Sequence, residues 1–346
     1  MSKNIPDPVA PDRSFLAKIP KVELHLHLEG AIPIESLWVL VDKYGDPEVR
    51  TPEQLQSRFR YTDFPHFIET WNWKNQFLRE YDDFTFVAEA VAADLAGQNV
   101  LYAEVFFSPP DFADQGLETG RLAESIRKGI DRQAEHIEIG LIGDVVRDRG
   151  PGAAEQTVRE LFEARSTGIV GIGMGGSEQS HPPEPFSKAY ELARHLDFHT
   201  TAHAGEAAGP ESIWGALNTL RVERLGHGTR AIEDPKLVSH LASTQIPVEC
   251  CPVSNLRTGV VSSMREHPIR RYFDQGLNVS VHTDDPKMFD TSLTREFSAL
   301  GEALGFTSED TATLIRNAIA SSWASPQTQS RLSARLDDFM SPETTE

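Results

Sequence analysis

Short apolar segments of β-strand length alternate with longer amphipathic segments along most of this chain. The longer segments have helical spacing: residues 34–45, for example, place apolar side chains three and four positions apart and end at Gly45. Alternating strands and helices are typical of βαβ units that build a parallel sheet. Eight such units predict an α/β fold, a single-domain (β/α)8 TIM barrel. The predicted strands are residues 22–28, 100–107, 137–146, 169–174, 198–203, 222–227, 246–251 and 277–283.

The two ends of the chain lack this alternation. Residues 1–14 contain three prolines and show no periodicity, so we predict a disordered N-terminal arm there. The barrel domain is predicted to cover residues 15–340, and residues 341–346 to form a tail. The length of 346 residues would also allow two domains, but no low-complexity linker interrupts the repeating units.

The longest insertion follows the first predicted strand and runs from about residue 44 to residue 86. We predict that it forms extra helices, and two interpretations of these helices are open. They either only pack on the barrel or form a lid over an apolar pocket, since the loops that follow strands lie at the catalytic face of such barrels. The aromatic residues of the insertion are Phe59, Tyr61, Phe64, Phe67, Trp71, Trp73 and Phe77.

The chain carries a strong negative charge, which limits its partners. Lysine and arginine together number 33 and aspartate and glutamate 52, for a formal net charge of -19. This charge repels a nucleic-acid backbone, so we expect no nucleic-acid partner. Because the chain shows neither a signal-peptide core nor an apolar run of membrane-spanning length, we also expect no membrane partner and a cytoplasmic protein. The two cysteines, Cys250 and Cys251, are adjacent and provide no disulfide framework.

Histidines occupy two alternate positions of the first predicted strand. The apolar side chains of this strand face the surrounding helices, so His25 and His27 point into the barrel near its C-terminal mouth. Two imidazoles at this spacing can bind one cation. His203 ends the fifth predicted strand and Asp284 follows the eighth, which places both at the same mouth. Three imidazoles and one carboxylate suit zinc in a site that leaves room for a water.

Three more polar residues lie at the same predicted mouth. Glu206 follows His203 in a turn that contains glycine, and His227 lies between two glycines. Asp285 points away from Asp284 by strand alternation, unless the strand has already ended. Zinc lowers the pKa of a water toward about 7, an imidazole such as His227 can orient that water or accept its proton, and Glu206 can protonate the electrophile. These residues predict hydrolysis through a tetrahedral intermediate.

Five motifs carry a resemblance to a known family: LHLHLEGAI, HAGE, RLGHG, CPVSNLRTG and HTDDP, in this order. With these motifs the chain resembles the adenosine deaminase family of the amidohydrolase superfamily, from about Pro20 into the 330s. The resemblance implies a (β/α)8 barrel with one catalytic zinc ion per subunit and a small-molecule purine substrate. The implied reaction is attack on C6 of a 6-aminopurine with release of ammonia.

The resemblance also implies roles for individual residues. Glu206 would protonate purine N1, His227 would orient the water as its base, and Asp285 would bind N7. Gly176, in the segment GIGMGGSE, matches the glycine whose backbone N–H reaches purine N3. The fourth predicted strand has no lysine of the kind that bridges two metals, which agrees with a single metal. The implied metal ligands are His25, His27, His203 and Asp284.

Two positions depart from the adenosine-specific pattern. Glu29 stands where many adenosine enzymes have an aspartate that faces the 5′ end of the ribose, and His282 stands where asparagine is common. His282 either contacts Asp284 or is a packing residue. Three substrates stay open: adenine, adenosine and aminodeoxyfutalosine, the last from an alternative route of menaquinone biosynthesis. The segments most similar to the aminodeoxyfutalosine deaminases are WKNQFLREYDDF, HAGEAAGPESIWGAL and SNLRTGVV.

The sequence thus favours deamination of an adenosine-type nucleoside, either aminodeoxyfutalosine or adenosine, with free adenine as the alternative. Aminodeoxyfutalosine carries an aryl carboxylate, which would need a cationic partner. Lys74, Arg79 and Arg257 are available, although such residues are also typical of a solvated surface. A barrel phosphoesterase would want two metals and basic residues for phosphate, so the net charge argues against it. The sequence makes no prediction of the oligomeric state.

Overall fold

The computed structural model describes residues 10–61 and 64–341. In this part of the chain, eight parallel strands form one sheet in which each strand pairs with its sequence neighbours. The predicted barrel is therefore confirmed, and the predicted strand ends agree with the observed ones to within two residues. The strands are β1 (Lys21–His27), β2 (Val100–Phe107), β3 (Glu138–Val146), β4 (Ile169–Gly175), β5 (His199–Ala204), β6 (Arg224–His227), β7 (Val248–Cys250) and β8 (Val279–Val281).

The two edges of the sheet meet where the segment after β8 runs beside β1. The Asp284 N–H donates to the His25 carbonyl, and the His27 N–H donates to the Asp284 carbonyl, each over 2.9 Å. These bonds form a parallel bridge between Leu26 and Asp284. The barrel is nearly closed by this contact, and closure places residues from the two ends of the barrel sequence side by side.

Helices surround the barrel and bury the outer faces of its strands, as expected for this architecture. In β1, for example, Val22, Leu24 and Leu26 belong to the apolar layer between strands and helices. The helices are α1 (Arg13–Lys18), α2 (Ile34–Tyr44), α3 (Pro52–Arg58), α4 (Phe64–Asn75), α5 (Tyr81–Gly97), α6 (Thr119–Ile130), α7 (Gly150–Glu163), α8 (Ser187–His195), α9 (Pro210–Gly215), α10 (Pro235–Thr244), α11 (Pro252–Arg257), α12 (Ile269–Asp274), α13 (Leu293–Leu304), α14 (Ser308–Ser321) and α15 (Pro326–Met340). No helix in the described ranges is long and apolar enough to span a bilayer.

The insertion after β1 is helical, as the sequence predicts, and it contributes α3 and α4. Helix α4 reaches the C-terminal mouth of the barrel. There the ring of Phe67 stacks on Phe289 with centroids 5.0 Å apart, and the ring of Trp71 meets His27 edge-on at 6.3 Å. The insertion therefore forms one side of the mouth as well as packing on the barrel. That it acts as a lid stays a prediction.

Helix α1 begins inside the stretch predicted as an N-terminal arm. The Asp12 carboxylate accepts a hydrogen bond from the Phe15 N–H over 2.7 Å, which satisfies a free donor at the helix start. Leu16 is buried in the core and anchors the helix to the barrel. Helical structure thus begins at residue 13, two residues before the predicted start of the domain at residue 15. Residues 1–9 and 342–346 lie outside the described residues, so the division into arm, domain and tail stays a prediction.

Candidate active site

A cavity of about 450 Å³ opens at the C-terminal ends of the strands. Its lining includes residues at or just after the ends of five strands: His27, Ser108, Asp144, Gly175 and His203. Its volume lies within the range of small-molecule pockets, about 300–1,000 Å³. In barrels of this type the active site lies at this face, so the cavity is the candidate active site.

The four residues predicted to bind a metal come together at the floor of this cavity. The Nε2 atom of His203 lies 3.1 Å from Nε2 of His25 and 3.1 Å from Nε2 of His27. Asp284 Oδ1 lies 3.6 Å from His25 Nε2 and 3.3 Å from His27 Nε2. All four atoms therefore face one small volume. Three imidazole nitrogens and one carboxylate oxygen are a donor set that fits a zinc ion.

Hydrogen bonds hold two of these imidazoles in the form that binds metals. His25 Nδ1 lies 2.8 Å from the Glu249 carboxylate, and His203 Nδ1 lies 3.0 Å from the Met174 carbonyl. Each Nδ1 must donate to its oxygen partner, so the lone pair is on Nε2 and points at the shared volume. Burial lowers the pKa of both rings well below the ordinary value, which keeps them neutral.

A buried ion-pair network fixes the Glu249 carboxylate. Arg224 lies 2.6 Å from Glu249 Oε1 and 2.6 Å from Glu104 Oε2, and all three side chains are almost fully buried. The charges of the two carboxylates offset the cost of burying the guanidinium. Glu249 is thus held between Arg224 and His25, and this network fixes the orientation of the His25 imidazole.

His227 lies beside the same volume, and distance alone does not separate it from the metal ligands. Ligand atoms of His25, His203, His227 and Asp284 all lie within 4.8 Å of one another. His227 Nε2 lies 3.5 Å from Glu206 Oε2 and 4.0 Å from Asp284 Oδ2. The hydrogen bond at the other ring nitrogen therefore decides what this imidazole can do.

Asn255 fixes the tautomer of His227. Its Oδ1 accepts from the Thr229 hydroxyl over 2.6 Å and lies 3.1 Å from His267 Nε2, so the amide oxygen faces away from His227. The amide nitrogen then lies 3.1 Å from His227 Nδ1 and donates to it. A neutral ring that accepts at Nδ1 carries its proton on Nε2. His227 therefore presents an N–H to the cavity instead of a lone pair.

The loop that carries Glu206 is held by a second carboxylate, Glu178. The Glu178 carboxylate is buried and accepts four backbone N–H groups, with donor–acceptor distances of 2.6–3.1 Å. The donors belong to Gly205, Glu206, Ala207 and Ala208. Four bonds to one carboxylate fix the backbone of this loop and aim Glu206 at the cavity. Burial raises the pKa of Glu206 to about 7.

Asp284 and Asp285 both line the cavity, although strand alternation would point them apart. Strand β8 ends at Val281. Asp284 has a φ of +61°, a left-handed backbone conformation that residues other than glycine rarely adopt. Alternation therefore no longer applies at this point of the chain. Asp285 lies against the backbone of Gly30, where any Cβ atom would collide with the Asp285 carboxylate. The glycine of the LHLHLEGAI motif makes room for this carboxylate.

Comparison with known proteins now identifies the family. The sequence model of the adenosine deaminase family matches residues 20–339. The chain belongs to the adenosine deaminase family. It is therefore a hydrolytic deaminase that acts on C–N bonds of adenine-type, small-molecule purine substrates. Deaminases of this amidohydrolase type depend on a metal, in agreement with the cluster of histidines and aspartate.

Individual relatives of this deaminase differ in their substrates. It is 33% identical to aminodeoxyfutalosine deaminase of Streptomyces coelicolor, over 98% of this chain and 89% of the relative. It is 35% identical to adenine deaminase of Hahella chejuensis, over 95% of this chain and 99% of the relative. The identities to these two relatives are nearly equal.

Solved structures of two related proteins share the barrel. Adenine deaminase from Arthrobacter aurescens superposes with a TM-score of 0.88 at 30% identity, over 93% of this chain and 99% of that structure. An amidohydrolase from Burkholderia ambifaria with bound Zn superposes with a TM-score of 0.88 at 27% identity, over 98% of this chain and 95% of that structure. The fold of this deaminase is thus shared by a zinc-containing relative.

Two other residues singled out in the sequence take less expected places in the deaminase. Glu29 is buried but is not among the described residues that line the cavity, and one of its oxygens accepts from the Ser108 N–H over 3.0 Å. His282 lies 3.0 Å from Glu23 Oε1 and 2.8 Å from the Ser280 hydroxyl, inside the barrel. His282 is thus bound by neighbours other than Asp284.

Lys74, considered as a surface charge, is instead buried beside the site. Its ammonium donates to the Glu29 carbonyl and to the Asn75 side chain, each over 2.6 Å, and lies 4.3 Å from the centre of the Trp71 ring. Burial lowers its pKa to about 8. These contacts join α4 to the segment after β1. The Lys74 ammonium is therefore already hydrogen-bonded to groups of the protein.

Several supporting residues of the deaminase were not predicted. Ser254 and Asn255 lie in the CPVSNLRTG motif, and Ser254 donates to Asp284 Oδ2 over 2.6 Å. The motif signalled their importance but not their partners. Glu178 ends the quoted segment GIGMGGSE, but the segment gave it no role, and Glu249 lies outside the quoted motifs. Their contacts become visible only when the strands are placed side by side.

Proposed function

We propose that this deaminase uses one zinc ion per chain to hydrolyse the amino group at C6 of a 6-aminopurine nucleoside, giving the 6-oxopurine and ammonia. The nucleosides considered are aminodeoxyfutalosine and adenosine. The observation that carries the proposal is the convergence of His25, His27, His203 and Asp284 on one volume at the floor of the cavity. Glu206 lies within 3.5 Å of His227 on the cavity side of that volume.

The proposed zinc ligands are His25, His27, His203 and Asp284, with His227 excluded. The exclusion rests on the Asn255 hydrogen bond, because a ring with its proton on Nε2 has no lone pair for a cation there. Asp284 also accepts from the Ser254 hydroxyl, and a ligand held in this way keeps its orientation. Zinc held by this set would supply a water nucleophile at neutral pH, because it lowers the pKa of water toward about 7.

His227 is proposed to orient the attacking oxygen. The sequence left open whether this ring orients the water or accepts its proton. With Nδ1 occupied by Asn255, the Nε2–H of the neutral ring can donate to an oxygen in the cavity. Donation fixes the position of that oxygen and stabilises negative charge on it. We therefore infer an orienting role for His227, with the imidazole a donor throughout.

Glu206 is proposed to protonate purine N1 as the oxygen adds to C6. The Glu206 carboxylate would then accept the proton of the added hydroxyl and pass it to the amino group, so that the C6–N bond breaks and ammonia leaves. A general acid must carry a proton at working pH, and its pKa is best placed near that pH. Burial raises the pKa of the Glu206 carboxyl to about 7, so a large fraction is protonated at neutral pH. The four backbone N–H bonds to Glu178 hold the loop, so the proton is delivered from a fixed position.

Asp285 and Gly176 are proposed to hold the purine ring at N7 and N3. Burial and the neighbouring Asp284 charge raise the pKa of Asp285 well above its ordinary value, which favours the protonated carboxyl. A protonated carboxyl can donate to N7, which is an acceptor. Gly176 lines the cavity with a φ of +92°, and a Cβ there would collide with the Asp148 carboxylate. Glycine thus lets the backbone approach the ring, where its N–H can reach N3.

The cavity can accommodate a nucleoside. Its volume of about 450 Å³ lies within the range of small-molecule pockets, about 300–1,000 Å³. Its lining extends beyond the residues proposed to contact the purine to residues that follow β2 and β3, which would leave room for a substituent on N9. The similarity to an adenine deaminase supports the free base as the second candidate.

The test is a comparison of substrates with the zinc-loaded enzyme. We expect kcat/KM, followed by the change in purine absorbance, to be higher for adenosine or aminodeoxyfutalosine than for adenine. Preference for adenine would contradict the nucleoside part of the proposal. Absence of turnover for every 6-aminopurine tested would contradict the proposed function as a whole.

A further inference from the structure

The order of strands around the mouth orients the purine, if the proposed function is correct. N1 then faces Glu206 after β5, N3 faces Gly176 after β4, and N7 faces Asp285 after β8. Around the edge of a purine, N9 lies between N3 and N7 on the side away from N1. The substituent on N9 must therefore leave the ring toward β1, β2 and β3, which lie between β4 and β8 on that side of the barrel.

Asp144 is the ionisable residue of β3 that lines the cavity on this side. It is only 3% exposed, and its Oδ1 has no hydrogen-bond partner among the residues that the structure describes. Gly175 of β4 leaves the space for its carboxylate, because a Cβ there would lie 2.6 Å from Asp144 Oδ2. A buried oxygen without a partner is costly, so its position points to a hydrogen-bond donor on the ligand.

Two more carboxylates line the same side of the cavity. Asp111 follows β2 and Asp148 follows β3, and with Asp144 they form a surface that we call the acidic wall. Among the described lining residues, the only lysine or arginine is Arg149, which already donates to Asp114 over 2.8 Å. Burial raises the pKa of Asp144 to about 7 and that of Asp111 to about 6, and Asp148 already accepts from the Ser177 N–H and hydroxyl. At a pH above these values a negatively charged substituent would meet like charges at this wall, whereas a hydroxyl would meet the Asp144 acceptor.

We propose that Asp144 and the acidic wall recognise hydroxyl groups of the sugar on N9 and select uncharged 6-aminopurine nucleosides over those with an anionic substituent. A sugar hydroxyl donates its proton to a carboxylate oxygen, and such charge-assisted bonds are stronger than neutral ones. The inference rests on the proposed function and narrows its substrate. Adenosine fits the wall, whereas the carboxylate of aminodeoxyfutalosine does not.

The test compares three substrates at about pH 8, where Asp144, whose pKa burial raises to about 7, is mostly ionised. The enzymes are the zinc-loaded parent and its Asp144→Asn variant, and the substrates are adenosine, adenine and adenosine 5′-carboxylic acid. We expect the parent to prefer adenosine over the carboxylic acid by at least about tenfold in kcat/KM. The variant should lose about tenfold for adenosine, because a bond to a charged acceptor is weakened. The value for adenine should fall less than about threefold, since adenine has no sugar. The variant should also discriminate less against the carboxylic acid.

Two further variants separate recognition from a general loss of structure. Asp111→Asn tests the same wall from another strand and should also reduce kcat/KM for adenosine more than for adenine. Asp42→Asn is the matched control, because Asp42 is exposed on α2. It should leave the values for all three substrates unchanged.

Failure of the acidic-wall proposal can be distinguished from failure of the proposed function. Equal losses of kcat/KM for adenine and adenosine in both the Asp144→Asn and Asp111→Asn variants would overturn the acidic-wall proposal. A parent enzyme that prefers the carboxylic acid or aminodeoxyfutalosine to adenosine would also overturn it. The proposed deaminase function would survive either result, since turnover would still be measured. Failure of the parent enzyme to deaminate any of these purines would remove the proposed function, and the inference with it.

Discussion

Replacement of Glu206 by glutamine is expected to lower kcat by about 10²–10⁴-fold, the usual contribution of a general acid. Glutamine keeps the shape of the side chain but cannot deliver a proton to N1. The four backbone N–H bonds to Glu178 do not involve the Glu206 side chain, so the loop should keep its position. We therefore expect KM and metal content to change little. The measurements are steady-state kinetics with adenosine and elemental analysis of the purified variant.

The matched control for this variant is Glu191→Gln on the exposed surface of α8. It makes the same chemical change away from the cavity, and it should deaminate at the parental rate. Deamination by Glu206→Gln at the parental rate would remove Glu206 from the role of proton donor. A loss of bound metal in that variant would instead show that the carboxylate supports the metal site.

The second large effect concerns the metal. His25→Ala should reduce the bound zinc, measured by elemental analysis, to a small fraction of one ion per chain, with loss of deamination. The reason is that His25 Nε2 lies within 3.6 Å of both His203 Nε2 and Asp284 Oδ1, and its removal leaves three of the four proposed ligands. His195→Ala, on the exposed surface of α8, is the control and should keep its zinc.

His25 is fully buried, so its replacement also tests folding. Circular dichroism and the melting temperature should be compared with the metal-free parent. His27→Ala provides a second variant at a ligand nearer to the cavity, since His27 lines it. Full retention of zinc by both folded variants would contradict the ligand set. Loss of zinc from His25→Ala alone would move His227 into the set in place of His27.

The barrel and the centre of the site could be predicted because they depend on local periodicity. In β1, alternation alone placed His25 and His27 on the inner face, and the end of a strand alone placed His203 at the mouth. The side-chain directions of Asp284 and Asp285 were harder to predict, since alternation fails once β8 ends and the backbone at Asp284 becomes left-handed. The end of the eighth predicted strand placed Asp284 at the mouth, whereas the direction of Asp285 stayed open and only the family motif gave it a role in the site.

The supporting contacts could not be predicted because they join distant parts of the sequence. Glu249 meets His25 across 224 positions, and Asn255 fixes the tautomer of His227 across 28. Lys74 illustrates a different limit. Its burial depends on the Glu29 carbonyl and the Trp71 ring, and neither partner can be assigned to a lysine until the insertion is folded onto the barrel.

The most direct test of the central claim is a zinc titration of metal-free enzyme. Metal is removed with a chelator, its removal is verified by elemental analysis, and adenosine deamination is followed as zinc is added back. The account predicts negligible activity without metal and a linear recovery that ends at one zinc per chain. Full activity in verified metal-free enzyme, or a recovery that requires two ions per chain, would contradict it.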